Sequence, residues 1–337
     1  MENVSVLGAG SWGIALARVL ATNGHKVTVW SALKDEIDML KANYEHLHKL
    51  PGVKLPESMV FTDCLETAME DKKMVVMAVP SSFVRKTASS MKEYYEPGQV
   101  IVNVAKGIEE ATLMTMSEVI ADEIKDARVA VLSGPSHAEE VGRAIPTTIV
   151  AGAVEKETAE FVQNLFMNDV FRVYTSPDVV GIEIGAALKN VVALAAGIAD
   201  GLGYGDNTKA ALITRGMAEI TRLGIAMGGE AQTFYGLSGI GDLIVTCASM
   251  HSRNRRAGIL IGQGKSMDEA MAEVKMVVEG VYSAKAAMKL AQKYDISMPI
   301  VESVNAVLFN GESARTRVKD LMLRDKKSEV FLHEWTN

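Results

Sequence analysis

Cysteine is almost absent from this sequence: Cys64 and Cys247 are the two cysteines among 337 residues. They lie far apart in the chain, and neither has a second cysteine nearby that would make a metal-binding pair. A scaffold built on disulfides and a zinc site are therefore excluded, and this usage is typical of a protein from a reducing compartment. We expect a cytoplasmic protein that binds no metal.

An excess of positive charge is also missing. Lysine and arginine number 35 against 42 aspartates and glutamates, which gives a formal net charge of −7. A chain with this balance has no overall field that attracts nucleic acid or an anionic membrane surface, so neither is expected as a partner. The net charge of the whole chain still permits a local basic pocket that binds a small anion.

The sequence lacks a long apolar run that is free of charge. The most apolar long stretch, residues 181–199, contains Glu183 and Lys189, and charges are costly at the centre of a bilayer. This stretch is therefore interpreted as a buried helix, and no stable membrane insertion is expected. The first residues have no basic segment ahead of their apolar run, so they are not predicted to be a signal peptide.

Short apolar runs alternate with segments of helical length in the first half of the chain. The runs are continuous rather than alternating in polarity, which is typical of strands buried on both faces of a parallel sheet. Strands separated by helices predict crossover units and a sheet covered on both sides. The predicted strands span residues 4–7, 26–30, 74–79, 100–104, 128–132, 147–151 and 170–174.

The second half shows helical patterns separated by glycines, with hardly any strand signal. The predicted helices span residues 179–199, 210–226, 252–262, 267–274, 283–294 and 299–310. The chain is therefore expected to be an α/β protein, with a doubly wound parallel sheet followed by a mainly α-helical second domain. The expected boundaries are 1–178 for the first domain, 179–325 for the second and 326–337 for a flexible tail. The apolar character of the second domain suggests a homodimer.

A G-x-G-x-x-G motif at residues 8–13 follows the first predicted strand and opens a predicted helix. Gly8 permits the tight turn, Gly10 lets the backbone approach a pyrophosphate, and Gly13 allows the helix to pack closely on the strand. The free N–H groups at the start of the helix face the phosphates. A plain strand-to-helix turn is the alternative, but the strand–turn–helix context favours a dinucleotide site of the Rossmann type.

The acid that usually binds the ribose hydroxyls of NAD is missing from the end of the second predicted strand. Ser31 and Ala32 stand there, and the first acid is Asp35. Ser31 can bond a 2′-phosphate and Lys34 can add positive charge, although a solvated surface lysine is an equally good interpretation of Lys34. We therefore expect NADP(H) to be favoured, with NAD(H) possible.

Two lysines are candidate catalytic residues. Lys106 directly follows a predicted strand, at the edge where sheets of this kind bind ligands, and residues 133–137 follow the next strand. Lys189 lies midway along the apolar helix, where burial would lower its pKa and suit it to proton transfer. The alternative for Lys189 is a structural ion pair with Glu183 or Asp242.

A second candidate region begins at the glycine loop of residues 237–241. Asp242 can cap the helix that this loop opens, or it can pair with a catalytic lysine, and the local sequence favours the cap. Further on, Ser252, Arg253 and Asn254 combine a potential cap, a guanidinium and an amide at the start of a helix, which suits a phosphate group. The alternative, a solvated basic face, suits the two arginines that follow.

The histidines give weaker signals. His46 and His48 lie close together without a third ligand, so they are predicted to belong to a polar surface stretch. His137 borders the proposed site. It can modulate the response to pH, and a plain loop residue is an equally good interpretation.

In their order along the chain, these motifs resemble the bacterial NAD(P)-dependent sn-glycerol-3-phosphate dehydrogenase family. The motifs that carry the resemblance are GAGSWG at 8–13, AKG at 105–107, SGPS at 133–136, EIGAALKN at 183–190, DGLGYGDN at 200–207, and GIGDLI at 239–244 with SRN at 252–254.

The resemblance implies an enzyme that reduces dihydroxyacetone phosphate to sn-glycerol 3-phosphate and so feeds glycerophospholipid synthesis. It implies that Lys189 donates and accepts the proton, that Lys106 stabilises charge on the substrate oxygen, and that Asp242 orients Lys189. The substrate residues it implies are Lys106, Gly134, Ser136, Lys189, Asn190, Asp242, Thr246, Ser252, Arg253 and Asn254. The cofactor residues, which include the glycine motif, are Gly8, Gly10, Ser11, Trp12, Gly13, Ser31, Ala32, Lys106, Ala138, Arg253, Val277 and Glu279.

Other interpretations remain open. A dehydrogenase that oxidises sugar nucleotides twice needs a cysteine nucleophile, for which Cys247 is the candidate, although a small buried core residue fits its apolar helix better. A hydroxy-acid dehydrogenase needs a carboxylate clamp, which Arg253 can supply. A nucleotide sensor without catalysis is disfavoured by two lysines directed at one cleft.

Overall fold

A computed structural model of the chain describes residues 1–326, 328 and 329. Within these residues the strands lie in the N-terminal half and helices fill the C-terminal half, as the sequence pattern predicts. The flexible tail predicted for residues 326–337 lies almost entirely outside the described residues.

One eight-stranded sheet forms the N-terminal part of the described chain, in the order β3-β2-β1-β4-β5-β6-β7-β8. β1 pairs in parallel with both β2 and β4, so the strand order reverses at β1 and leaves a crevice at the carboxyl ends of β1 and β4. The strands are β1 (Asn3–Leu7), β2 (Lys26–Trp30), β3 (Val60–Thr62), β4 (Met74–Met77), β5 (Val100–Asn103), β6 (Arg128–Ser133), β7 (Thr147–Ala153) and β8 (Phe171–Ser176).

Helices cover both faces of this sheet. They are α1 (Ser11–Thr22), α2 (Lys34–Asn43), α3 (Leu65–Met69), α4 (Val84–Met91), α5 (Met116–Glu123), α6 (Ala138–Gly142) and α7 (Lys156–Phe166). Apolar side chains of α1 and α7, such as Leu16 and Phe166, pack on one face, and those of α4 and α5, such as Val84 and Ile120, pack on the other. The strands are thus buried on both sides, which accounts for their continuous apolar runs.

The direction of β7 differs from the predicted parallel sheet. β7 pairs antiparallel with β6, with Ser133 opposite Val150, and β8 then pairs in parallel with β7. The connection between β6 and β7 contains the five-residue helix α6, which is about 8 Å long. A crossover would have to return along a strand of about 20 Å. The chain therefore re-enters the sheet from its carboxyl edge and runs in the opposite direction.

α8 (Val179–Gly201) is the centre of the C-terminal part. By length and composition it could cross a membrane, but 83% of its most apolar window is buried inside the protein, as the interpretation of residues 181–199 as a buried helix requires. The helices packed around it or following it are α9 (Asp206–Ala226), α10 (Ala231–Phe234), α11 (Asp242–Ala248), α12 (Arg253–Gly262), α13 (Met267–Val274), α14 (Glu279–Lys293), α15 (Pro299–Phe309) and α16 (Ala314–Met322).

Candidate active site

The glycine turn between β1 and α1 lies at the crevice where the strand order reverses. Gly8 has a φ of +118°, and a Cβ at this position would lie 2.7 Å from the carbonyl oxygen of Ala78, which follows β4. A Cβ on Gly13 would lie 2.0 Å from the carbonyl oxygen of Gly8. α1 therefore approaches the turn at a distance that a side chain would prevent, as the motif predicts.

The turn fits the pyrophosphate of a dinucleotide. Gly10 faces open space, with nothing within 4 Å of the position its Cβ would take. α1 begins at Ser11 without a side-chain cap, so its first N–H groups are available to an anion. The indole Nε1 of Trp12 is buried and finds no hydrogen-bond partner in the part of the chain that the structure describes. These donors and this space are what a bound dinucleotide requires.

Asp242, at the start of α11, joins two lysines from different parts of the chain. Its Oδ1 accepts a hydrogen bond from Nζ of Lys189 in α8 at 2.5 Å, and its Oδ2 accepts one from Nζ of Lys106, which follows β5, at 2.6 Å. Lys189 also donates to Oγ1 of Thr246 at 2.8 Å, and Lys106 donates to the carbonyl oxygen of Gly134 at 3.2 Å. The structure thus brings five predicted site residues into one hydrogen-bonded group.

Close packing of α8 against the glycine loop brings Asp242 to Lys189. The loop forms a π-helical turn over Leu237–Gly241, in which Gly239 has the non-helical angles φ −100° and ψ −105°. Gly185 lies one turn before Lys189 on α8, and a Cβ there would lie 2.9 Å from the carbonyl oxygen of Ser238. The loop can therefore lie directly on the helix, which places the residue after it opposite the lysine.

The capping role that the local sequence favours for Asp242 is wrong. Gly241 is the N-cap of α11, and no side chain caps this helix. A carboxylate buried between two ammonium groups gains more from ion pairing than from a helix N–H, so it turns towards the lysines. The alternative pairing of Lys189 with Glu183 is also wrong, because Glu183 accepts hydrogen bonds from the backbone N–H of Ser117 and from Nδ2 of Asn103.

Burial controls the electrostatics of this group. Lys189 is 5% exposed and Asp242 is 1% exposed. Burial lowers the pKa of Lys189 to about 8, with Lys106 lowering it further and Asp242 acting in the opposite direction. Burial also works to raise the pKa of Asp242, but Lys106 and Lys189 outweigh it, so this pKa lies below its usual value. Lys189 is therefore able to hold or release a proton near neutral pH beside an ionised carboxylate.

α12 begins with a capped turn and a cation, Arg253. Ser252 is the N-cap, and its Oγ accepts a hydrogen bond from the N–H of Arg255 at 3.2 Å. The Arg253 guanidinium is largely withdrawn from solvent, and burial lowers its pKa, against the opposing effect of Glu279. Within residues 1–326, 328 and 329 this guanidinium makes no hydrogen bond or ion pair. It is free to bind an anion.

Two asparagines connect this end of the site to the lysines. Nδ2 of Asn254 donates to Oδ1 of Asn190 at 2.9 Å, and the N–H of Gly280 donates to Oδ1 of Asn254 at 2.8 Å. Nδ2 of Asn190 in turn lies 3.3 Å from the carbonyl oxygen of Lys106, to which it donates. Asn254 therefore keeps one N–H for a ligand, and its other groups fix its position.

The loop after β6 supplies the remaining predicted substrate residue. Gly134 has a φ of +148°, and its carbonyl oxygen, which already accepts from Lys106, also accepts from Oγ of Ser136 at 2.9 Å. Ala138, predicted to touch the cofactor, follows as the first residue of α6. All of these residues lie at the carboxyl edge of the sheet.

Glu279 makes a contact that the sequence does not reveal. Its Oε1 accepts from the backbone N–H of Ser81 at 3.1 Å, and its Oε2 accepts from Oγ of Ser81 at 2.5 Å. Ser81 lies four residues after the end of β4, beyond Pro80, and a hydroxyl in the loop after a strand is the signal that the sequence offers. Val277, the other predicted cofactor residue of this segment, lies two positions before the start of α14. The Ser81–Glu279 contact joins the sheet to the helical part beside the crevice.

His137 lies at the border of the site, where the sequence places it. Its ring centroid is 5.6 Å from that of His251, and its Nε2 lies 3.4 Å from the carbonyl oxygen of Val245. Burial lowers its pKa, and the charge of Lys189 lowers it further. His137 is therefore neutral at pH 7.

The end of β2 is arranged differently from the sequence-based interpretation. Oγ of Ser31 donates to a carboxylate oxygen of Glu36 at 2.6 Å, and Lys34 pairs with Asp38 at the surface, also at 2.6 Å. His46 was predicted to lie on the surface, and this is wrong: it is 2% exposed because its Nε2 bonds Glu36 at 2.8 Å. His48 is exposed, as predicted.

Cys247 is a buried core residue. Its side chain has no solvent exposure, and burial raises the pKa of its thiol to about 12. The thiol is therefore protonated at neutral pH, which does not suit Cys247 to act as a nucleophile.

A glycine turn at the reversal point of a mostly parallel sheet and a lysine–carboxylate group at the carboxyl edge of the same sheet are the features of a nicotinamide-dependent oxidoreductase. Two sequence profiles specify it further. The one described as NAD-dependent glycerol-3-phosphate dehydrogenase N-terminus matches residues 3–159, and the one described as its C-terminus matches residues 178–319. The chain belongs to the NAD-dependent glycerol-3-phosphate dehydrogenase family.

Individual relatives match over nearly their whole length. Glycerol-3-phosphate dehydrogenase [NAD(P)+] of Agathobacter rectalis is 64% identical over 335 residues, which cover 99% of this chain and 100% of that protein. The protein of the same name from Fusobacterium nucleatum is 60% identical over 332 residues, covering 98% and 99%. The crystal structure of glycerol-3-phosphate dehydrogenase from Coxiella burnetii superposes with a TM-score of 0.93 at 35% identity, covering 96% of this chain and 99% of that one.

Proposed function

We propose that this chain interconverts dihydroxyacetone phosphate and sn-glycerol 3-phosphate with a nicotinamide dinucleotide. Its relatives from Agathobacter rectalis and Fusobacterium nucleatum carry the name of this activity. The observation on this chain that carries the proposal is the hydrogen-bonded group of Lys106, Lys189 and Asp242, together with Arg253, which makes no hydrogen bond or ion pair within the described residues. It offers a proton donor, a second positive charge and an anion-binding group in one site.

The proton is handled by Lys189. When bound, the nicotinamide supplies a hydride to the ketone carbon of the substrate. As negative charge develops on the ketone oxygen, the Lys189 ammonium donates a proton to it, and the product is a secondary alcohol. Asp242 holds Nζ of Lys189 in place, and Lys106 adds a second positive charge near the oxygen. In the reverse direction neutral Lys189 accepts the hydroxyl proton.

The substrate phosphate is held at the start of α12. Arg253 supplies a guanidinium with free N–H groups, and Ser252 and Asn254 bring the backbone of the first turn and one amide N–H to the same place. Gly134 and Ser136 form the facing side of the substrate site. A substrate that lacks the phosphate leaves Arg253 buried without an anion, which the site disfavours.

The dinucleotide lies along the glycine turn. Gly8, Gly10 and Gly13 shape the turn, and Ser11 begins the helix that faces the pyrophosphate. The other residues proposed to line the cofactor are Trp12, Ser31, Ala32, Lys106, Ala138, Arg253, Val277 and Glu279. Both NAD(H) and NADP(H) are proposed as substrates.

Absorbance at 340 nm tests the reaction. The purified chain is mixed with NADH or NADPH and either dihydroxyacetone phosphate or dihydroxyacetone, and we expect rapid oxidation with the phosphorylated ketone and at least about a hundredfold lower kcat/KM without the phosphate. Oxidation driven by α-keto acids but not by dihydroxyacetone phosphate would instead identify a hydroxy-acid dehydrogenase.

The wider setting is proposed on the same basis. The enzyme acts in the cytoplasm, without a nucleic acid partner or insertion into a membrane, and its product supplies glycerophospholipid synthesis. Residues 1–178 and 179–325 form its two domains, and the chain assembles as a homodimer. Light scattering on the purified protein tests the assembly: a homodimer has twice the 36.3 kDa mass of one chain, and the mass of one chain would contradict it.

A further inference from the structure

A buried polar cluster lies behind the carboxyl end of β2. It consists of Ser31, Glu36, His46 and Lys49 and is called the Glu36 cluster below. Glu36, in the first turn of α2, is 9% exposed and accepts three side-chain hydrogen bonds. They come from Oγ of Ser31 at 2.6 Å, from Nε2 of His46 at 2.8 Å and from Nζ of Lys49. Three side-chain donors thus hold the Glu36 carboxylate in place.

The Glu36 cluster borders the predicted cofactor site. The N–H of Gly8 donates to the carbonyl oxygen of Trp30 at 2.8 Å, so Ser31 directly follows a residue that is bonded to the glycine turn. In sheets of this topology, the residue at the end of the second strand faces the ribose of the adenosine half of the dinucleotide. Ser31 is therefore the group of this chain that meets the ribose 2′ position, and Glu36 lies immediately behind it.

The hydrogen bonds that Ser31 makes within the protein leave its hydroxyl able only to accept a hydrogen bond from a ligand. A serine hydroxyl has one proton to donate and two lone pairs that accept. Its proton is directed to Glu36, and the backbone N–H of Leu33 donates to its oxygen at 3.2 Å. One lone pair remains. It can accept a hydrogen bond from a ribose 2′-hydroxyl, but a 2′-phosphate is mostly a dianion at neutral pH and needs a donor that Ser31 no longer provides.

The charges near this position do not favour a phosphate either. Lys34 pairs with Asp38, and Lys49 pairs with Glu36, so each of these lysines already faces a carboxylate. Burial works to raise the pKa of Glu36, but hydrogen bonds from His46, Lys49 and Ser31 bring it to about 2. Glu36 is therefore ionised at neutral pH, where its carboxylate holds the Ser31 proton in a hydrogen bond.

From this geometry we propose that Glu36 determines the cofactor preference of the chain, and that it directs the site towards the unphosphorylated ribose of NADH rather than the 2′-phosphate of NADPH. Glu36 acts through the hydroxyl of Ser31 and is a positioning residue. The inference rests on the proposed function for the use of a nicotinamide dinucleotide, and it reverses the NADP(H) preference that Ser31 and Lys34 suggest in the sequence.

The test compares binding and turnover in three proteins. Dissociation constants for NADH and NADPH are measured by isothermal titration, and kcat/KM for both is measured with dihydroxyacetone phosphate. Wild type is expected to bind NADH at least about tenfold more tightly than NADPH. In Glu36→Gln the Ser31 hydroxyl is released and Lys49 loses its counter-charge, so the ratio of NADPH to NADH affinity is expected to rise by about tenfold or more.

The matched control is Glu45→Gln. Glu45 is a buried glutamate of the same segment that accepts from the N–H of Gly52 at 2.8 Å and pairs with Lys54, outside the Glu36 cluster. A general loosening of this segment affects both variants, so an altered ratio in Glu36→Gln with an unaltered ratio in Glu45→Gln supports the proposal. An unchanged ratio in folded Glu36→Gln, or wild type that prefers NADPH, overturns it.

Ser31→Ala provides an independent variant should Glu36→Gln fail to fold. The loss of the acceptor is expected to weaken NADH binding by about fivefold and to leave NADPH binding nearly unchanged. A greater loss of NADPH than of NADH affinity overturns the proposal. If wild type binds NADH preferentially but reduces no dihydroxyacetone phosphate, the proposed function fails while this inference about binding is supported.

Discussion

Asp242 is the residue that both site lysines share. Its two carboxylate oxygens each accept from one ammonium group, and 1% exposure means that water does not weaken these contacts. The contact fixes Nζ of Lys189 without consuming all of its protons, because an ammonium group has three. Asp242 therefore controls both where the proton donor stands and how tightly it holds its proton.

Replacing Asp242 by Asn is expected to shift the pH dependence of reduction. Asp242 raises the pKa of Lys189, whereas burial and Lys106 lower it to about 8, so removal of the carboxylate lowers this pKa further. The ammonium form is the proton donor, and kcat/KM for reduction falls as the pH rises through the pKa. We expect the fall near pH 8 in wild type and at lower pH in Asp242→Asn, with at least about tenfold less activity at pH 7. A profile that keeps its position contradicts this role.

Replacing Arg253 by Ala is expected to weaken the binding of the substrate phosphate. The guanidinium has no protein partner in the described chain, so the variant loses a charge-assisted contact with the ligand and leaves no protein group unpaired. We expect the KM for dihydroxyacetone phosphate to rise by about ten- to a hundredfold. Steady-state kinetics measure this, and Arg215→Ala, on the exposed surface of α9, is the control. An unchanged KM would place the phosphate elsewhere.

Secondary-structure elements with a strong hydrophobic period were predictable from the sequence. The predictions for residues 26–30 and 267–274 coincide with β2 and α13. β3 was missed because three residues are too few to show a period. The direction of β7 was missed because it depends on the length of α6 rather than on any pattern in β7 itself.

The site residues were predictable where they interrupt a pattern, and their partners were not. Lys106 follows a strand and Lys189 interrupts an apolar helix, so both stand out in the sequence. The pairing of Asp242 joins residues 53 and 136 positions apart, and local sequence could weigh only the cap. His46 shows the same limit: its burial depends on Glu36, ten positions away in another element.

In the turn between β1 and α1, Gly13 is needed for packing and Gly10 for ligand access. A Cβ on Gly13 would lie 2.0 Å from the carbonyl oxygen of Gly8, whereas a Cβ on Gly10 meets open space. Gly13→Ala is therefore expected to destabilise the fold by about 1–3 kcal/mol, and Gly10→Ala to keep wild-type stability but to weaken dinucleotide binding at least about tenfold. Urea unfolding and titration calorimetry separate the two effects. Equal stability loss in both variants would contradict the assignment of Gly10 to the ligand.

The contact between α9 and α15 gives the fold a pH dependence. Glu219 is buried and accepts from the N–H groups of Ile300 at 2.9 Å and Val301 at 3.3 Å. Burial raises its pKa from 4.5 to about 7, against these hydrogen bonds. A raised pKa in the folded state means that the carboxyl stabilises the fold fully below pH 4.5 and loses this contribution as the pH rises through 7.

Between pH 5 and pH 8 we therefore expect wild type to lose free energy of unfolding on the order of 2 kcal/mol more than Glu219→Gln, which cannot ionise. Urea unfolding at the two pH values measures the difference. Glu302→Gln, an exposed position on α15, should behave like wild type. Parallel pH dependence of wild type and Glu219→Gln would show that Glu219 does not carry the effect.

The site residues come from two parts of the molecule, each of which has its own hydrophobic core. Lys106 and the glycine turn come from the sheet and its loops, whereas Lys189 lies on α8 and Asp242 lies on α11, which packs against α8. The contacts between Lys106 and Asp242 and between Ser81 and Glu279 hold the two parts together at the crevice. The glycine turn and the proton donor therefore come from different parts of the chain, and a substitution of the proton donor can leave cofactor binding in place.

Lys189→Ala makes this separation and tests whether Lys189 is the proton donor. Turnover is followed at 340 nm with dihydroxyacetone phosphate, and NADH binding is measured by calorimetry on the same samples. Lys209→Ala is the control, because Lys209 is another ion-paired lysine of the helical part, 2.9 Å from Asp200. We predict a loss of at least about a hundredfold in kcat for Lys189→Ala, with NADH binding retained. A variant that binds NADH and keeps more than about a tenth of the wild-type rate would show that Lys189 is not the proton donor.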